Sequence, residues 1–247
     1  GEESFSEIEM YYLVPRWPEK MQWINHSTML FTLSTVKENL QACLQNWWDK
    51  YDVAEPAINL YFSVLLSPTN YPEINFLSLT QAVETYHRRM FGGEYQDKSE
   101  YMANLYNLLV KSIPSTLDKD FRSSLVKKIE FGNEYSLRTR LRKLIEGIVD
   151  ILDFDFIQSK DERSIFISRV VTTRNYLTHY PKEIEKDVVR IPAEQLVLVT
   201  QLQLLLEVYF LKDLGFDVTT IRKLIQRSDR FSLLSSKHKL TKGKQDE

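Results

Sequence analysis

The chain has 247 residues, 43% of them apolar and 27% charged, with 32 basic against 34 acidic side chains and a formal net charge of −2. That length and apolar content suit one large folded domain, or one domain plus part of another, and exclude a disordered chain. The near-neutral balance excludes a global positive field, so any contact with nucleic acid must come from a local patch, while a single Cys43 excludes a disulfide framework.

In chain order, the first 33 residues differ from the rest. Tyr11 to Val14 and Met29 to Leu33 are short, aromatic and β-leaning, with Pro15 and Pro18 beside them, and are expected to be extended. With Gly1 in place of a starting methionine, they look like the end of a β-rich domain that lies mostly upstream. From residue 34 the apolar spacing turns to the 3.6 period of helices. Ser34 or Thr35 as N-cap and Glu38 as its capping-box partner open the first helix. Helices are expected at about 35–50, 54–66, 73–91, 97–112, 115–130, 134–152, 160–180, 193–213 and 217–228. Pro68, Pro72, Gly92, Gly93, Pro114, Gly132, Pro181, Pro192 and Gly215 punctuate them. The fold class is therefore all-α, an up-and-down bundle over residues 34–234 with a short N-terminal extended remnant. The lysine-bearing residues 235–247 form a polar tail expected to be disordered. Leu196 to Leu211 is the longest apolar stretch, and its polar residues and length argue against a membrane span. Four histidines scattered singly offer no zinc spacing, so a reducing, cytoplasmic setting is expected, without metal or cofactor.

The helix at 160–180 carries the chemistry. Stepping about 100° per residue puts Phe166, Val170, Thr173, Leu177 and Tyr180 on one inward line. Asn175 and His179 fall nearly opposite, one turn apart, and Arg174 flanks them. An arginine this far ahead of a histidine is a common coincidence by spacing alone. Here, however, the pair points away from the core, the polar Asn175 follows the arginine, and Pro181 stops the helix just beyond. The residue types suit RNA cleavage. His179 can act as base or acid near neutral pH, and Arg174 is a permanent cation with a planar fork of donors for phosphate oxygens. Asn175 can hold the imidazole or a phosphate. One copy supplies one histidine, so separate acid and base require two copies face to face, a symmetric dimer.

The stretch Val170-Val171-Thr172-Thr173-Arg174-Asn175-Tyr176-Leu177-Thr178-His179-Tyr180 resembles the signature of HEPN ribonuclease domains, in wording close to the ApeA-like proteins of bacterial phage defence. Phe76-Leu77-Ser78-Leu79-Thr80-Gln81-Ala82-Val83-Glu84-Thr85-Tyr86-His87-Arg88-Arg89 resembles that family's early HEPN helix. The resemblance spans about residues 35–230. It implies a dimerising helical bundle that cuts RNA, tRNA being one candidate, without metal, leaving a 2′,3′-cyclic phosphate and a 5′-hydroxyl, as a toxin-like response to infection. It also implies Arg174, Asn175 and His179 as the catalytic set, Glu84 as the early-helix acid, and a regulatory N-terminal domain or an inhibitor.

Two further groups keep two readings each. Glu84 and Arg88 form either an ordinary helix ion pair or a support in which Glu84 orients Arg174 or His179. Arg138 and Arg142, in the basic run of the 134–152 helix, are either a solvated face or a track for a phosphate backbone. The rival to an RNA-cutting enzyme is a non-catalytic helical module whose same exposed face binds a protein partner or a nucleotide.

Overall fold

The computed structural model describes residues 29–66, 71–152, 154–183 and 186–234, and every statement below concerns these. They are helical, with no strand; the sole β contact is an isolated antiparallel bridge between Glu94 and Glu134. The expected strand at Tyr11–Val14 and the tail at 235–247 lie outside the described residues. Met29–Leu33 forms no strand: the chain bends at Met29 and Leu30, and α1 (Leu33–Val36) opens directly after Thr32, which is itself extended and whose backbone N–H donates to the Thr35 hydroxyl at 3.4 Å.

Helix α2 (Leu40–Leu65) runs unbroken where two helices are expected, with Pro56 in its interior. Proline removes the N–H that would bond the Asp52 carbonyl and crowds the turn before it. The guanidinium of Arg89 fills that gap, donating to the Asp52 oxygen at 3.0 Å and to the Val53 oxygen at 2.5 Å. A residue 33 positions beyond the proline thus keeps the helix whole. Helix α3 (Pro72–Phe91) starts on a proline, as helices often do, and buries Phe76, Leu79, Val83 and Tyr86, the stripe its sequence spacing marks.

The expected helix at 97–112 is one rod with a π-helical turn: α4 (Lys98–Tyr101), the π segment Met102–Tyr106 and α5 (Asn107–Lys111). It pairs with α6 (Lys119–Glu130) in a hairpin in which no residue from Met102 to Glu130 is buried. Helix α7 (Leu137–Glu146) is shorter than expected. It ends at Gly147, where an added Cβ would lie 2.5 Å from the Tyr209 hydroxyl; that hydroxyl instead donates to the Leu144 carbonyl at 2.7 Å. Helices α8 (Lys160–His179), α9 (Pro192–Asp213) and α10 (Val218–Gln226) complete the bundle, with a further helical stretch at 229–234.

Helix α9 is the axis of the core. Leu198, Leu202, Leu204, Leu205, Leu206 and Val208 are all buried, on every side of the helix. At 22 residues it is longer than the apolar stretch the sequence shows, and by length and composition it could cross a membrane; in the fold, 72% of its apolar window is buried against other helices. Some polar groups along it are matched by neighbours, whereas Gln195 Oε1, Gln201 Oε1 and Glu207 Oε2 are buried with no hydrogen-bond partner among the described residues. Tyr86 donates to Asp213 at 2.6 Å, Lys50 pairs with Asp213 at 3.0 Å, and the buried Glu207 accepts from Tyr61 at 2.5 Å and pairs with Arg230. Burial pushes the Glu207 carboxyl above the usual carboxylate range, and Arg230 opposes that push.

Candidate active site

Helix α8 is defined at both ends by its own side chains. Ser159 and Glu162 form a capping box: the Ser159 hydroxyl accepts from the Glu162 N–H at 3.1 Å, and the Glu162 carboxylate accepts from the Ser159 N–H at 2.9 Å. The S-x-x-E pattern that marks this start is legible in sequence. At the other end Tyr180 adopts the left-handed conformation, φ 44° and ψ 54°, and its N–H bonds the Tyr176 carbonyl at 2.7 Å. Pro181 disfavours a right-handed helical residue before it, so the helix ends here. Tyr180 therefore leaves the inward stripe and is 66% exposed, while Phe166, Val170, Thr173 and Leu177 are buried as expected.

The chain after α8 folds back along the helix. The Val189 N–H donates to the Thr173 hydroxyl at 2.9 Å, Ser168 donates to Asp187 at 2.5 Å, and Arg169 pairs with Glu194 at 2.6 Å. The motif follows in the last two turns of α8, with Asn175 seven residues after Ser168 on the same line of the helix. Arg174 and Asn175 are half-buried, and the Arg174 guanidinium donates to the Asn175 side-chain oxygen at 3.2 Å. His179, one turn on in the last residue of the helix, is exposed and has no hydrogen bond or ion pair among the described residues. Thr178 donates to the Arg174 carbonyl at 2.7 Å, occupying a backbone oxygen in the last turn.

The other sequence candidates sit elsewhere. Glu84 on α3 pairs with Arg88 at 3.1 Å, and Arg88 also bonds Glu134 at 2.7 Å; neither is bonded to Arg174 or His179 among the described residues. Arg138 and Arg142 are exposed on α7, which packs against α8, and Arg142 makes only a 4.0 Å contact with Glu146. Sequence reasoning missed Arg140. Lying in the same basic run, it is 1% exposed and its guanidinium donates to the Gly92 carbonyl at 2.6 Å, the Tyr135 carbonyl at 3.0 Å and the His87 Nδ1 at 3.1 Å. Burial, then the charges of Arg140 and Lys143, push His87 down to about 4. Arg140 lies two residues from both Arg138 and Arg142, off their exposed face, and falls three residues after Leu137 and four before Leu144, at the edge of the buried stripe; that spacing is the sequence signal that sets it apart. No group of three His, Cys, Asp or Glu side chains able to hold a metal occurs among the described residues.

The family model described as Apea-like HEPN matches residues 77–220, from early α3 into α10. The chain belongs to this family. HEPN domains are typically RNA-cleaving and often act as dimers that bind RNA, and the matched span includes Glu84 and the whole Arg174–His179 segment. No curated protein matches the chain, and no solved structure does.

Proposed function

We propose that the protein is a metal-independent endoribonuclease that acts as a homodimer, with Arg174, Asn175 and His179 of both copies around one cleft, as a toxin-like effector in anti-phage defence in the cytoplasm. The observation that carries this reading is the outward end of α8: a cation tied to a neighbouring amide, followed one turn later by an imidazole with no partner of its own. Polar groups held for structure are normally saturated by their neighbours.

In the proposed reaction the His179 imidazole of one copy takes the proton of a ribose 2′-hydroxyl, and the freed oxygen attacks the adjacent phosphorus. Charge accumulates on the non-bridging oxygens, which Arg174 meets with its donor fork. The bond to the 5′-oxygen breaks, and that oxygen takes a proton from His179 of the other copy. The products are a 2′,3′-cyclic phosphate and a 5′-hydroxyl, with proton and charge balanced across two histidines. Asn175 keeps the Arg174 fork from collapsing onto other acceptors.

Sequencing of RNA ends in cells expressing wild type and His179→Ala side by side tests the reading. New 5′-hydroxyl ends, in tRNA or another class, are expected with wild type alone. Identical ends in both strains would sink the enzyme reading and leave the motif face as a binding surface.

A further inference from the structure

A concave site lies where the C-terminal ends of α3 and α9 meet α7. It is a cleft of about 490 Å³ lined by none of Arg174, Asn175 or His179, a size in the range of small-ligand pockets. We propose that this cleft binds a nucleoside phosphate, its base held among the aromatic side chains and its phosphate by Lys143 and Lys212.

Rings form the interior. His87, 3% exposed, has its ring centroid 5.5 Å from that of Phe91 and 6.2 Å from that of Tyr135, and Tyr209 backs Phe91 at 6.0 Å. Phe91 is 56% exposed despite three ring neighbours, so a large apolar face is left open to an entering ring. Every nucleobase offers a π face, which makes aromatic walls a general means of holding one. The wall at Tyr135 is fixed. Its N–H bonds the Gly93 carbonyl at 2.9 Å, and Gly93, at φ 119°, has no room for a Cβ, which would lie 2.8 Å from both Tyr135 and Arg140.

The polar groups converge on two tasks. Lys143 and Lys212 hold their ammonium groups 5.0 Å and 5.2 Å from the centroids of Tyr135 and Tyr209, one cation on each aromatic wall. Lys212 gives one donor to the Gly147 carbonyl at 3.2 Å, while Lys143 has no carboxylate partner within ion-pair distance, so donors remain for phosphate oxygens. At the base end His87 is a neutral donor. Arg140 has only donors to offer, so the Nδ1 it meets is the acceptor and Nε2 carries the hydrogen. Glu94 and Glu146, also on the lining, are acceptors for the N–H groups that a base such as guanine presents along its edge. A base with both an acceptor and donors on its edge, and a phosphate with acceptors, satisfy all five groups at once, which a simple anion does not.

The nucleotide could arrive free or as part of an RNA chain, and two arms of one experiment separate these sources. Equilibrium binding is measured for GMP, inorganic phosphate and a labelled single-stranded RNA on wild type, His179→Ala and the double variant Lys143→Gln/Lys212→Gln, with thermal melts of each. Wild type and His179→Ala are expected to bind GMP alike, and the double variant at least tenfold more weakly, with its melt unchanged. If GMP also competes with the RNA, the cleft receives a nucleotide of the chain; if it does not, the ligand is a free nucleotide. GMP binding no tighter than inorganic phosphate, or equal in wild type and double variant, overturns the proposal. Because His179→Ala removes the proposed cleavage but not the cleft, failure of either reading is seen independently of the other. Should the double variant melt early, Phe91→Ser, at an already exposed ring, gives the same readout.

Discussion

Two arginines of this chain, Arg140 on α7 and Arg174 on α8, show opposite uses of the same side chain. Arg140 is buried and donates to three backbone carbonyls, those of Gly92, Gly93 and Tyr135, and to His87 on α3. It joins the end of α3 to α7 and has nothing left to offer a ligand. Arg174 is half-buried, meets only the amide of its sequence neighbour, and shares its face with an unpaired His179. The difference teaches how to sort polar residues in a helical bundle: those that close a gap in the backbone hydrogen bonding belong to the fold, and those that the fold leaves unsatisfied are free for chemistry.

Substitution of His179 is expected to have the largest effect. His179→Ala should lower RNA cleavage by about 10²- to 10⁴-fold, the usual worth of one positioned acid or base, with no change in the melting temperature because the side chain is exposed and has no hydrogen bond or ion pair among the described residues. Single-turnover cleavage beside a thermal melt reads both. A parallel fall in stability would mean that the motif is part of the packing, and the contrast between the two arginines would fail.

Arg140→Met should do the reverse. The carbonyls of Gly92 and Tyr135 and the His87 Nδ1 lose their donor, and of these only His87 is buried. At about 1–3 kcal/mol for a buried group left unsatisfied, and less for the two carbonyls that water can reach, the fold should lose about 2 kcal/mol. Urea unfolding measures the loss. Cleavage by the fraction that remains folded should match wild type.

The same junction makes a pH prediction. His87 is held near 4, below the ordinary histidine value of 6.5, so the folded state resists taking up a proton that the unfolded state accepts. The stability this contributes is whole above about pH 6.5 and is lost as pH falls from there through 4. The loss is on the order of 2–3 kcal/mol for a shift of that size. Urea midpoints taken between pH 7 and 4 should fall in wild type and fall less in His87→Phe. Equal slopes in the two would show that other groups carry the acid sensitivity.

What could be read from sequence, and what could not, follows from the range of the forces involved. The buried stripes of α3 and α7, Phe76 to Tyr86 and Leu141 to Ile145, obey a 3.6 period and are visible locally, as is the outward placing of Asn175 and His179 on α8. The continuity of α2 across Pro56 is not, because the repair comes from Arg89 on another helix. Nor is the burial of Arg140, whose acceptors meet only when α3 and α7 pack. Tyr180 counted with the core stripe until its backbone turned left-handed before Pro181. At the site the residue types and their face were legible, and the second copy that would complete it was not, since an interface between copies leaves no local period.

The smallest effect falls on Glu84, the acid in the resemblance between α3 and the early HEPN helix. Its carboxylate is bonded to Arg88, which reaches on to Glu134, and the Arg88 side chain is 48% exposed. An exposed pair of this kind contributes about 0.2–1 kcal/mol, so Glu84→Gln should lower stability by no more than that. Whether Glu84 belongs with Arg140 or with Arg174 is then decided by the pH profile of cleavage. A carboxylate orienting His179 would favour the imidazolium, and its removal would shift the basic limb of the profile to lower pH. With Glu84 committed to Arg88, the expected profile is superimposable on wild type, and the pair belongs with the groups that the fold has already satisfied.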